Sequence, residues 1–166
     1  MAAAEASSQA IQQVLCFALA GEAYALPILK VREIQAQATI TRIPKAPPYM
    51  PGVINLRGAI VPILNLRHRF SLGDPPEDIR PVIVIVEVQR RTLGIQVDAV
   101  SDVIDLDASA IRPAPELGTQ SALGREFIAG LASLPGAEST DSMLILLDLD
   151  RLLSEGELTA LDSTTV

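Results

Sequence analysis

The chain carries one cysteine, one histidine, no tryptophan and only 3% aromatic residues. A lone thiol, Cys16, cannot close an internal disulfide and suits a reducing compartment. The scarcity of Trp and Tyr removes the stacking platforms that line many sugar and base sites. Positive charge is short as well. Thirteen Lys and Arg against twenty Asp and Glu leave a net charge of −7, which argues against nucleic acid and anionic lipid. No apolar run approaches the roughly 18 residues of a membrane span. Residues 1–10 have neither a basic start nor a long apolar stretch, so they read as a disordered tail rather than a secretory signal. The chain also lacks the glycine loops G-x-x-x-x-G-K and G-x-G-x-x-G that cradle phosphates, and the G-x-S-x-G elbow of hydrolases.

What is present is aliphatic. Hydrophobic residues make up 49% of the 166, enough for one domain or two small lobes. The organising stretch is Met50 to Leu66. Val53–Leu56 and Ile60–Leu66 read as two strands about a tight turn, where Gly58 supplies φ > 0. The second strand is apolar at almost every position, as for a strand buried on both faces, and Arg57 stands alone at the tip. Upstream, Leu15, Phe17 and Leu19 share one face of a strand, with Val14, Cys16 and Ala18 on the other. Tyr24–Pro27 returns, Ile28–Lys30 twists, and short strands follow at Val31–Ile34 and Thr39–Ile43 before Pro44, Pro47 and Pro48 halt the ladder. Leu72–Asp78 is a polar, proline-rich loop and the candidate boundary. Beyond it, strands are expected at Val82–Val88, Thr92–Val97, Val100–Leu106, Phe127–Leu134 and Met143–Leu147. Asp148 or Asp150 can cap a short C-terminal helix over 148–161.

The halves repeat. Tyr24–Ile34 lies over Leu93–Val103 at an offset of 69 residues, with Glu33 over Asp102, and Ile60–Leu66 lies over Met143–Leu149. Five short strands per half close most simply as a small barrel. The expectation is an all-β chain of two barrels side by side, over about 14–72 and 80–150, with a third apolar contact where they meet.

Chemistry-bearing groups are few. His68, between Arg67 and Arg69, is a poor metal ligand and reads as a surface residue. Asp98, Asp102, Asp105 and Asp107 scatter over both strand faces without a calcium-loop spacing, and read as a solvated acidic rim. An enzyme would need converging acids in a pocket between the barrels. Arg57 and Glu33 are weighed differently. Arg57 caps the most apolar hairpin, among Gly52, Val53 and Gly58, and Arg is enriched at interface hot spots.

Several motifs together resemble the CheW family of bacterial chemotaxis coupling proteins. They are Gly21-Glu22-x-Tyr24-x-Leu26-Pro27-Ile28, Val31-x-Glu33-Ile34, Gly52-Val53-Ile54-Asn55-Leu56-Arg57-Gly58, Val61-Pro62-Ile63, Leu66-Arg67, Val97-Asp98-x-Val100-Ser101-Asp102-Val103 and Ile111-Arg112-Pro113. The likeness runs over about residues 12–162. One departure is Asn65, where an aspartate is common. The resemblance implies two SH3-like five-stranded barrels, no catalysis and no cofactor or metal. It implies a cytoplasmic adaptor between chemoreceptor tips and the regulatory domain of the histidine kinase CheA. By that likeness Glu33, Ile34 and Gly58 fall on the kinase-docking surface. Val31, Arg57, Val100 and Val103 fall on or near the receptor groove between barrels. A coupler for twitching motility, or for another cascade with a CheA-like kinase, fits the same residues.

Overall fold

The computed structural model describes residues 11–46, 49–113, 128–133 and 143–152. The expected tail at 1–10, Pro47 and Pro48, and most of the expected C-terminal helix lie outside these residues. Eleven strands are described: β1 (Ile11–Leu19), β2 (Glu22–Pro27), β3 (Val31–Gln35), β4 (Thr41–Arg42), β5 (Gly52–Leu56), β6 (Ala59–Asn65), β7 (Val82–Val88), β8 (Arg91–Val97), β9 (Ala99–Asp107), β10 (Ile128–Ser133) and β11 (Met143–Leu147). Two short helices follow β6 and β11, α1 (Leu66–Arg69) and α2 (Leu149–Leu152). Their caps match. The Asn65 carboxamide oxygen accepts the His68 N–H at 3.2 Å, and Asp148 accepts the N–H groups of Asp150 and Arg151. A neutral Asn therefore performs at 65 the capping that the carboxylate performs at 148.

The strands form two sheets, each the foundation of a subdomain. One has the order β10-β11-β2-β1-β9, the other β3-β7-β8-β6-β5-β4. The repeat is real and extends to register. Cys16 faces Ala25 where Ile85 faces Gly94, and the parallel pairs Leu146–Ala25 and Ile63–Gly94 are equivalent. Even the bulge recurs, between Leu15 and Phe17 against β9 and between Val31 and Glu33 against β7.

The expected division into 14–72 and 80–150 does not describe the sheets. β1 and β2 belong with β9–β11, whereas β3–β6 belong with β7 and β8. The cause is a crossover in each repeat. After β2 the 3-10 turn Ile28–Lys30 carries the chain into the other sheet, and after β8 the bend at Asp98 carries it back. Among the described residues neither ladder closes into a barrel, since β10 and β9, and β3 and β4, remain edges.

Among the described residues three apolar clusters result. Val14, Cys16, Ala25, Leu144 and Leu146 fill one subdomain, with Leu106 and Ala132. Ile54, Val61, Ile63, Ile83 and Ile85 fill the other. The largest lies where the sheets meet. Leu15, Phe17, Leu19 and Leu26 come from one side, and Leu64, Val84, Val86, Leu93 and Ile95 from the other. From Val14 to Phe17 β1 therefore has no outer face, because its alternating residues enter two different clusters. The β6 strand is buried over Val61–Leu64, but its start, Ala59 and Ile60, is exposed because the hairpin tip projects into solvent.

Candidate functional site

Sequence and fold concentrate unusual groups at the β5–β6 tip. Leu56 pairs with Ala59, leaving a two-residue turn at Arg57 and Gly58 with φ of 51° and 91°. Both residues lie in the left-handed region of a type I′ turn, where glycine is at ease and arginine is not. A Cβ added at Gly58 would meet nothing within 4 Å, so glycine is there for its φ and not for space. Asn55 holds the turn, its side-chain oxygen accepting the Gly58 N–H at 2.8 Å.

The tip reaches across its sheet. Strands β8 and β7 lie between β6 and β3, yet Arg57 grips Glu33 on β3 with both Nη atoms, Nη1 at 3.2 Å from Oε1. Three strand spacings of about 4.8 Å exceed an arginine's reach, so the sheet curls until its edge and its hairpin tip meet. Gln35 Nε2 donates to Glu33 Oε1 at 2.6 Å. Hydrogen bonds from Arg57, then from Gln35, hold the Glu33 carboxyl below the ordinary carboxylate range, and Glu33 raises Arg57 in return. The pair is open to water and is therefore salt-sensitive.

The structure brings Glu33 and Arg57 together, with Gly58 beside Arg57 in the turn, whereas Ile34 follows Glu33 on β3 and points to the strand's other face. Ile34 is an exposed aliphatic on the β3 edge beside Glu33, and Ile60 is a second one near the tip. The strand's apolar pattern had marked Ile60 as core. Val31 and Val100 lie elsewhere, half-buried and both packed on the cluster between the sheets. Val103 is exposed on the β9 edge, at the position that corresponds to Ile34.

One expectation fails outright. Asp98 is not part of a solvated rim. It is 7% exposed and takes a two-pronged grip from Arg67, Nε to Oδ1 at 2.6 Å and Nη2 to Oδ2 at 2.5 Å. The Ala20 N–H adds a third bond at 2.9 Å. Burial pushes the carboxyl up, but Arg67 and the Ala20 N–H pull harder and hold it below its ordinary value. The partner is 31 residues away, so no local spacing announces the pair. Asp102, Asp105 and Asp107 are exposed as expected, and His68 sits 3.1 Å from Asp74. No group of three His, Cys, Asp or Glu among the described residues is placed to hold a metal.

Two fused β subdomains, with hydrogen-bonded charges beside exposed aliphatics on sheet edges, define a protein that docks other proteins. The comparisons agree and specify the kind. The CheW-like domain profile matches residues 13–157. The chain is 41% identical to the chemotaxis protein CheW of Klebsiella aerogenes over 92% of its own length and 87% of the relative's. It is 34% identical to a probable chemotaxis protein CheW of Rhizobium etli, over 93% of this chain and 96% of that one. The crystal structure of a CheW scaffolding protein from Thermoanaerobacter tengcongensis superposes with a TM-score of 0.75 at 35% identity, covering 86% of this chain and 92% of the other. The chain belongs to the CheW-like family and is a non-catalytic chemotaxis adaptor.

Proposed function

We propose that this adaptor holds the cytoplasmic tips of methyl-accepting chemoreceptors and the regulatory domain of a CheA-type histidine kinase at once. Two weak interfaces on one small body raise the effective concentration of each partner for the other. Glu33, Ile34 and Gly58 dock the kinase, with Arg57 orienting Glu33 from the hairpin tip. Val31, Val100 and Val103, with Arg57 at the border, face the receptor helices. The observation that carries this reading is the exposed Ile34 beside a Glu33 held by Arg57 and Gln35. It combines an apolar anchor with a preset charge on an unpaired strand edge. The curl of β3 towards the β5–β6 tip supports SH3-like barrel geometry for this subdomain. No described helix is long and apolar enough to cross a membrane, which supports a cytoplasmic adaptor recruited to receptor arrays. The relatives named for chemotaxis favour this pathway over a twitching-motility coupler.

Calorimetric titration with the regulatory domain of a CheA kinase from the same organism tests the kinase half. Micromolar binding is expected, lost on Glu33→Ala or Ile34→Ala and weakened by Arg57→Glu and by salt. Equal affinity for wild type and all three variants would remove these residues from the interface. A receptor-tip fragment titrated against Val100→Asp and Val103→Asp tests the other half.

A further inference from the structure

The repeat makes the two crossovers equivalent, yet they are built in opposite ways. Under the offsets of 69 and 83 residues that relate the halves, Asp98 corresponds to Leu29 and Arg67 to Asp150. At the β8–β9 crossover, Arg67 and Asp98 form the buried two-pronged pair described above. Asp98 is also fixed through its backbone, its N–H donating to Ala18 O at 3.0 Å while its Oδ2 accepts the Ala20 N–H. The pair ties α1, at the end of one sheet, to β1 and the β1–β2 turn of the other. At the β2–β3 crossover none of Ile28–Lys30 is buried, and Leu29 is 95% exposed. Asp150, the counterpart of Arg67, finds instead Lys30, one residue past Leu29, at 3.9 Å with both ends in water. An exposed pair of that kind contributes little, whereas a buried guanidinium–carboxylate fork cannot part without stranding a charge.

The geometry points to one locked and one adjustable crossover: Arg67–Asp98 fixes the joint that places Val100, while Ile28–Lys30 lets β3, with Glu33 and Ile34, shift against its own sheet. Arg67 and Asp98 are positioning residues that touch no partner. Resting on the adaptor reading, this division gives strain from one interface a defined way out. The groove side keeps its shape and the β3 edge moves.

Hydrogen exchange of backbone amides on the full chain alone tests the mechanics, and no partner is needed. The outcome is therefore independent of what the chain couples. In the wild type the Ala20 and Asp98 amides should exchange as slowly as the central amides of β7, and the bonded β3 amides about tenfold faster or more. Arg67→Gln should speed Ala20 and Asp98 by about tenfold beyond any rise in β7. Leu29→Asp combined with Asp150→Arg moves the pair to the equivalent exposed positions, and should leave the β3 amides within about twofold of wild type, because a pair in water cannot lock the crossover. A uniform rise over both sheets in Arg67→Gln would reduce the pair to general stability and overturn the proposal. A slowing of β3 by about tenfold in the double variant would show that burial is not what locks a crossover and would overturn it as well. Should Arg67→Gln fail to fold, the wild-type comparison decides, and β3 amides as slow as those of Ala20 and Asp98 would overturn the proposal.

Discussion

Gly94 sits among Ile63, Ile83 and Ile85 in one subdomain, and in the other Ala25 clusters with Leu146, Val14 and Cys16. The positions correspond one for one, and so do the strand registers. The volumes do not. Where three isoleucines converge, the facing residue has no side chain. Where a cysteine and a valine replace two of them, a methyl fits. Register sets the backbone, and each interior then shares out its volume in its own way. The two subdomains can therefore diverge in core and surface while keeping one scaffold. The shared cluster between the sheets is a third region that belongs to neither.

Breaking that shared region should have the largest effect. Leu64→Asp puts an unpaired carboxylate at a 1% exposed position within it. The expected cost is about 5 kcal/mol or more. Because the cluster takes residues from both sheets, circular dichroism should show both subdomains lost together, with no half-folded plateau. A melt in which one sheet survives would show the subdomains to be independent.

Next come the two crossover ion pairs. Arg67→Ala leaves Asp98 buried without its cation and should cost about 3–5 kcal/mol, whereas Lys30→Ala at the exposed pair should stay within about 0.5 kcal/mol. Their pH dependence sharpens the contrast. Asp98 is held below its ordinary value, near 3.9 when unfolded. Its stabilisation is present above about pH 4 and is lost as pH falls through the folded value. Without Arg67, burial is opposed only by the Ala20 N–H, and the protonated form gains relative to the wild type. Urea denaturation should then show the Arg67→Ala deficit shrinking between pH 7 and pH 3. A deficit constant over that range would mean that Asp98 is not the stranded group.

A smaller effect tests the unequal interiors directly. A Cβ at position 94 would lie 2.5 Å from Ile63 Cδ1 and 2.7 Å from Ile83 Cγ2. Gly94→Ala should cost about 1–3 kcal/mol by overpacking. Adding Ile63→Val removes the offending Cδ1 and should recover part of the loss. No recovery in chemical denaturation would locate the strain at Ile83 instead.

Much of this was legible in the chain, and the limits are physical. Alternation in Leu15, Phe17 and Leu19 against Val14 and Cys16 gave β1 and its two faces, because side-chain direction is a local property. The repeat predicted equivalent strands, and register bears it out. Exchange of strands between the halves was hidden. Whether β3 pairs with β7 is decided by a three-residue crossover and by contacts fifty residues away, and no periodicity encodes it. Asp98 looked like its exposed neighbours for the same reason, since its burial depends on Arg67. Arg57 and Glu33 were singled out together, and they meet because the sheet curls.

The smallest effect separates strain that serves docking from strain that does not. Arg57 and Arg90 are both arginines at positive φ in two-residue turns, at 51° and 67°. Gly21, the counterpart of Arg90 under the repeat, shows which residue the geometry prefers. Arg90→Gly should stabilise the chain by about 1 kcal/mol and leave kinase affinity unchanged. Arg57→Asn relaxes the same kind of turn and should melt no lower than wild type, since the ion pair it removes is open to water. Yet it leaves Glu33 held by Gln35 alone and should weaken the kinase complex. If both variants gain stability and neither loses affinity, Arg57 is as incidental as Arg90. If only Arg57→Asn binds more weakly, its strained backbone is retained for the partner and not for the fold.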